Sequence, residues 1–111
     1  MSTILPQDTN DNPIPALRLK ANGAHTINIS GTSARNSNAF GEGTRIVSLY
    51  ATTAVYIKCG DSSVSATTSD HYFPAGLYYD ISIGGDKTGH YTHIAALRAS
   101  QDGILYISEK E

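Results

Sequence analysis

The sequence predicts a single all-β domain, an antiparallel β-sandwich of the jelly-roll or Ig-like kind with about seven or eight strands. Short runs of apolar, β-branched and tyrosine residues recur along the chain, and clusters of Gly, Pro, Asn, Asp and Ser separate them. No segment of useful length has helical periodicity. The 111 residues fit one domain. We place the sandwich at residues 16–111 and an extended N-terminal arm at residues 1–15.

Turn chemistry predicts two β-hairpins, one near the start and one near the end of the sequence. Asn22 and Gly23 both tolerate positive φ, so they are expected to join a strand at residues 16–20 to one at 25–30. The dipeptide Asp102-Gly103 is expected to close a last hairpin onto a strand at residues 104–108.

The middle of the chain alternates strands with loops. The predicted strands are residues 44–51, 54–59, 77–83 and 91–99, and the predicted loops and turns are residues 31–43, 60–70 and 73–76. In most of these strands every second residue is apolar, which is typical of a strand with one buried face. Residues 94–97 are apolar throughout, which indicates a central strand that is buried on both faces.

Composition excludes several partners. Charged residues make up 16% of the chain, the net charge is −2, and the eight Lys and Arg residues form no cluster that could bind nucleic acid. No apolar run has the length of a membrane span, and the first residues lack the pattern of a secretory signal. We therefore expect synthesis in the cytoplasm and no contact with membrane.

No catalytic or metal-binding pattern stands out. His90 and His93 are three residues apart, so in a strand they point to opposite sides, and His25 and His71 stand alone. The carboxylates are scattered, and most fall at turns. There is no nucleophile elbow, Walker loop or dinucleotide fingerprint. We expect neither an enzyme nor a bound metal or cofactor.

Tyrosines and the arm are the candidates for protein contact. Exposed tyrosines offer rigid amphipathic contact area, and a polar arm with three prolines is positioned to grip a neighbouring molecule. The alternatives are tyrosines that cover the sandwich edges and an arm that packs on its own domain. The candidate interface residues are Ile4, Leu5, Pro6, Pro13, Ile14, Phe40, Tyr72, Phe73 and Tyr78.

Several motifs in the second half of the chain resemble one family. They are RIV at residues 45–47, TTAVYIKCG at 52–60, ATTSD at 66–70, FPAG at 73–76 and GILYIS at 103–108. In this order they are similar to small β-sandwich proteins encoded among the virion-structure genes of tailed bacteriophages. The resemblance covers residues 45–108 and leaves the arm and the first two strands unmatched.

The resemblance implies a capsid decoration or cement protein that stabilises the phage head through protein–protein contacts. It would place the chain in the virion, bound to the major capsid protein or other virion proteins, as a homo-oligomer. Two alternatives remain open at this point. The chain could be a neck, tail or fibre-attachment component, or it could be a carbohydrate-binding β-sandwich module that stacks sugars on its tyrosines.

Overall fold

Eight β-strands and no helix form the part of the chain that the computed structural model describes, which is residues 9–10, 17–85 and 88–111. This confirms the predicted all-β class and the number of strands. Most of the predicted arm, residues 1–8 and 11–15, lies outside the described residues. The strands are β1 (Leu19–Ile29), β2 (Ala34–Arg35), β3 (Ile46–Ala51), β4 (Val55–Gly60), β5 (His71–Phe73), β6 (Tyr78–Ser82), β7 (His93–Arg98) and β8 (Gly103–Lys110).

The strands form two antiparallel sheets, in the orders β1-β8-β3-β6 and β2-β7-β4-β5. Strands of the first half pair with strands of the second half in the sequence β1 with β8, β2 with β7, β3 with β6 and β4 with β5. This pattern arises when a long antiparallel ribbon is folded over and rolled up. Of the two sandwich types expected, the strand order is therefore that of a jelly roll.

The core lies between the two sheets and contains the inward residues of both. Val47, Leu49 and Ala51 alternate along β3 with outward residues, as the sequence predicts, and all three are fully buried. The core cluster consists of Ile27, Ile29, Phe40, Val47, Leu49, Ala51, Val55, Ile57, Phe73, Ile83, Ile94, Ala96, Leu105 and Ile107. Large aliphatic side chains dominate it, so apolar burial is its main source of stability.

Strand β7 is buried on both faces, as its apolar run predicts. It lies between β2 and β4, and Ile94, Ala95 and Ala96 are fully inaccessible to solvent. Ile94 and Ala96 belong to the core between the sheets, whereas Ala95 contacts a second apolar cluster on the outer side. The loop between β4 and β5 provides that outer cover.

The predicted hairpin at Asn22-Gly23 is wrong, although the backbone there does take the expected conformation. Asn22 has a φ of 62°, but the chain does not reverse, and residues 19–29 form one strand that pairs with β8. Between Leu19 and Ala24 the strand advances five residues while β8 advances two, from Lys110 to Ser108. The positive φ therefore accommodates an irregular bulge within β1 and does not form a turn.

The predicted last hairpin is also wrong. The turn at Asp102-Gly103 connects β7 to β8, but these strands belong to different sheets, and β8 pairs with β1 and β3. The turn is tied to the neighbouring connection, because the Ile104 amide donates to Thr52 Oγ1 at 2.9 Å. A turn dipeptide specifies a change of chain direction and leaves the pairing partner open.

The bulge at Asn22 gives a direct test of the fold. A β-branched residue at positive φ costs about 1–2 kcal/mol, so we expect Asn22→Val to lower the free energy of unfolding by about that amount. The control Asn22→Gly tolerates the same φ and should change stability by less than about 0.5 kcal/mol. Urea denaturation measures both variants. Equal stability of the two would contradict the bulge geometry.

Candidate protein interface

The outer face of the sheet β2-β7-β4-β5 is covered by the chain itself. Val64 and Ala66, in the loop between β4 and β5, are buried against Ala95 and Leu97 of β7. Two hydrogen bonds hold the loop in place: Arg35 donates to the Val64 carbonyl at 3.2 Å, and the Ala66 amide donates to the hydroxyl of Ser33 at 2.8 Å. This face is therefore already partly occupied.

The outer face of the sheet β1-β8-β3-β6 carries a row of tyrosines. The register places Thr26 beside Tyr106, Tyr106 beside Tyr50, and Tyr50 beside Tyr78, so the row crosses all four strands. Neighbouring strands lie about 4.8 Å apart, so the three tyrosines share a short, continuous strip of surface. We call this outer face, centred on these residues, the tyrosine face.

The three tyrosines are substantially open to solvent. The exposed fractions are 39% for Tyr50, 56% for Tyr78 and 44% for Tyr106. No loop among the described residues buries them as the β4–β5 loop buries β7. A tyrosine has few rotatable bonds, a large apolar ring and a hydroxyl that can form a hydrogen bond, so such a row is well suited to bind another surface.

One ion pair lies on the tyrosine face beside the row. Lys110 Nζ is 3.0 Å and 3.2 Å from the two carboxylate oxygens of Asp80, and the Ser48 hydroxyl donates to Asp80 at 2.5 Å. Lys110 Nζ also lies 5.1 Å from the centre of the Tyr78 ring. The hydrogen bond from Ser48 and then that from Lys110 lower the pKa of Asp80, and Asp80 raises the pKa of Lys110. At neutral pH the pair is charged and its net charge is zero.

The sequence-predicted interface residues fall in different places. Tyr78 lies on the tyrosine face, whereas the exposed Tyr72 lies on β5 of the other sheet, with its ring 5.8 Å from that of Tyr56. Phe40 and Phe73 are 3% and 6% exposed and belong to the core, so their selection as surface contacts is corrected. Their size and apolar character favour burial over exposure in a loop or turn. Ile4, Leu5, Pro6, Pro13 and Ile14 lie outside the described residues.

The sequence-based selection of interface residues did not include Tyr50 and Tyr106. The alternation of inward and outward side chains along a strand could have identified Tyr106, because Leu105 and Ile107 point inward and so place Tyr106 outward. Alternation also assigns Tyr50 to the face opposite Leu49. That the two tyrosines are neighbours could not be inferred from alternation, because it depends on the pairing of β3 with β8.

A buried carboxylate joins three segments at one end of the sandwich. Glu109 is only 3% exposed, and its Oε1 accepts hydrogen bonds from the Thr44 hydroxyl at 2.6 Å and the Gly41 amide at 2.8 Å. The Nε2 of His25 donates to Oε2 at 2.8 Å, and Lys20 Nζ lies 3.6 Å from Oε1. We call these five residues the Glu109 clasp. It ties the β2–β3 connection to β1 and β8.

The clasp brings together His25, which stands alone in the sequence, and Glu109, which is one of the scattered carboxylates. His25 packs edge-to-face on Phe40, with ring centres 5.0 Å apart. Burial alone would raise the pKa of Glu109, but hydrogen bonds from Thr44, His25 and Gly41, together with the charge of Lys20, outweigh it and lower that pKa. The carboxylate is therefore ionised at neutral pH although it is almost completely buried.

The Glu109 clasp predicts an acid-sensitive part of the stability. Because the folded-state pKa of Glu109 is lowered, its contribution is present above the ordinary carboxyl pKa and is lost as the pH falls through the folded-state value. We expect Glu109→Gln to cost about 2 kcal/mol at pH 7 and less at acidic pH. Urea denaturation at several pH values measures this. A cost that is independent of pH would contradict the role of the charge.

No group of three or more His, Cys, Asp or Glu side chains that could hold a metal ion occurs within residues 9–10, 17–85 and 88–111. The described part of the chain also contains no helix that could cross a membrane. Comparison with protein-family models, with curated proteins and with solved structures finds no match to this chain.

Proposed function

We propose that the chain is a structural protein of a tailed-phage virion, which decorates the capsid and stabilises it by protein–protein contact. The observation that carries the proposal is the difference between the two outer faces. One is partly covered by the chain's own loop, which lies over β7, and the other presents a row of three exposed tyrosines. The resemblance of residues 45–108 to virion-structure proteins supports the capsid as the partner.

Decoration requires only that surface be buried against the shell. Tyr50, Tyr78 and Tyr106 provide ring surface that loses water on contact, and their hydroxyls retain hydrogen-bonding capacity at the edge of the contact. The clasp and the core fix the sheet that presents them. A stiff sheet loses little conformational entropy on binding, which favours affinity from a small surface.

The jelly-roll fold supports this role only by analogy. Jelly rolls occur in viral capsid proteins and also in lectin domains, so the fold is compatible with both a virion component and a sugar-binding module. The tyrosine face has some of the chemistry of a sugar platform. However, the Asp80 carboxylate beside it is already bonded to Ser48 and Lys110, which leaves less capacity to bind sugar hydroxyls. Contact with protein is therefore the favoured function.

Copy number tests the proposal. We expect quantitative mass spectrometry of purified particles, produced by the genome that encodes the chain, to find it at a simple lattice fraction of the major capsid protein. A ratio that matches a single ring would contradict decoration and favour the neck or tail. Absence from the particles would overturn the virion role, and a glycan-binding assay of the free protein would then be the next measurement.

A further inference from the structure

We infer that the tyrosine face is the surface that docks, and that its occupant is an uncharged protein surface that is repeated on the partner assembly. This inference rests on the proposed function and adds the binding face and the chemistry of the partner. It starts from the contrast between the sheets, because a loop covers β7 in the β2-β7-β4-β5 sheet and the described residues supply no such cover for the tyrosine face.

The charges on the tyrosine face determine what kind of partner surface can bind there. The outward residues of β1 near the row are Ala24, Thr26 and Asn28, which are neutral and exposed. The charges on the face are those of Asp80 and Lys110, which pair with each other at 3.0 Å. A charged group on the partner would lose water without gaining a counter-ion, which is costly. A neutral surface meets no such cost.

The area of the tyrosine face limits how tightly one copy of the chain can bind. Four strands about 4.8 Å apart and four rows of outward residues about 6.8 Å apart outline a face of about 500 Å². A standard stable interface buries about 800 Å² on each partner. A single docked face is therefore a weak contact, and retention requires several copies of the chain, joined in one oligomer, to bind a repeated array together. A pair of chains joined through this face alone would bury too little surface to be a stable dimer.

Strand pairing and a ring contact restrain the three tyrosines of the row. Tyr50 and Tyr106 are on β3 and β8, each of which is paired on both sides within its sheet. Tyr78 is on the edge strand β6, where the ammonium of Lys110 lies over its ring. The row is thus held in position before binding, which reduces the entropy that docking costs.

Particles that lack the chain provide the test. Purified wild-type protein is mixed with such particles and sedimented, and the bound fraction is compared with that of the double variant Tyr50→Thr/Tyr106→Thr. Threonine retains strand propensity while removing both rings. We expect at least about a tenfold loss of binding, because contacts of this size carry 1.4 kcal/mol or more between them.

Two control variants make the test specific. Tyr72→Thr removes a tyrosine that is 59% exposed and lies on β5 of the other sheet, and it should bind like the wild type. Thr26→Lys adds an unpaired charge to the face and should reduce binding, whereas Thr68→Lys adds the same charge to the β4–β5 loop and should not. Urea denaturation shows that each variant is folded before it is used.

The outcomes distinguish a failure of the proposed decoration role from a failure of the tyrosine face as the binding site. If the wild type does not bind particles, the decoration role is overturned. If the wild type binds and the double variant binds equally well, the role stands and the tyrosine face is overturned as its site. Light scattering that finds a wild-type dimer, lost in the double variant, would assign the face to a second copy. Binding of a soluble oligosaccharide that depends on Tyr50 and Tyr106 would overturn the protein occupant.

Discussion

The pairing of β8 with both β1 and β3 is the interaction on which the rest of the structure depends. This last strand of the chain lies inside its sheet, and its residues serve three purposes in alternation. Leu105 and Ile107 enter the core, Glu109 enters the clasp, and Tyr106 joins the tyrosine row. The register of β8 therefore determines which residues enter the core, which residue forms the Glu109 clasp and which residue is exposed in the tyrosine row. A slip of one residue would exchange the inner and outer side chains of β8.

The Glu109 clasp is an unusual use of a buried charge in so small a domain. Taking an ionised carboxylate out of water is costly, and the cost is offset only where hydrogen bonds and opposite charges surround it. Here the Thr44 hydroxyl, the Gly41 amide and the ring of His25 supply the hydrogen bonds. An apolar residue could fill the space but could not bind the Gly41 amide. The clasp therefore specifies where the β2–β3 connection lies.

The two outer faces differ because of one loop. The β4–β5 connection folds back over β7, which allows β7 to be apolar on both sides, and the other sheet has no equivalent among the described residues. Consequently β7 carries small residues such as Ala95, whereas β3 and β8 carry tyrosines on their outer side. A fold with two similar sheets thus acquires one partly covered outer face and one whose tyrosines are open to solvent.

The sequence by itself determined the fold class, most strand positions and the alternation that places Val47, Leu49 and Leu105 in the core, because these depend on local periodicity and turn residues. It also indicated the positive φ at Asn22. Only the tertiary structure decided that this residue sits in a bulge, that β7 and β8 separate into different sheets, and that Glu109 meets His25. It likewise decided that three tyrosines form one row. These features join residues far apart in the chain, and strand pairing over such distances is set by the fit of the whole core.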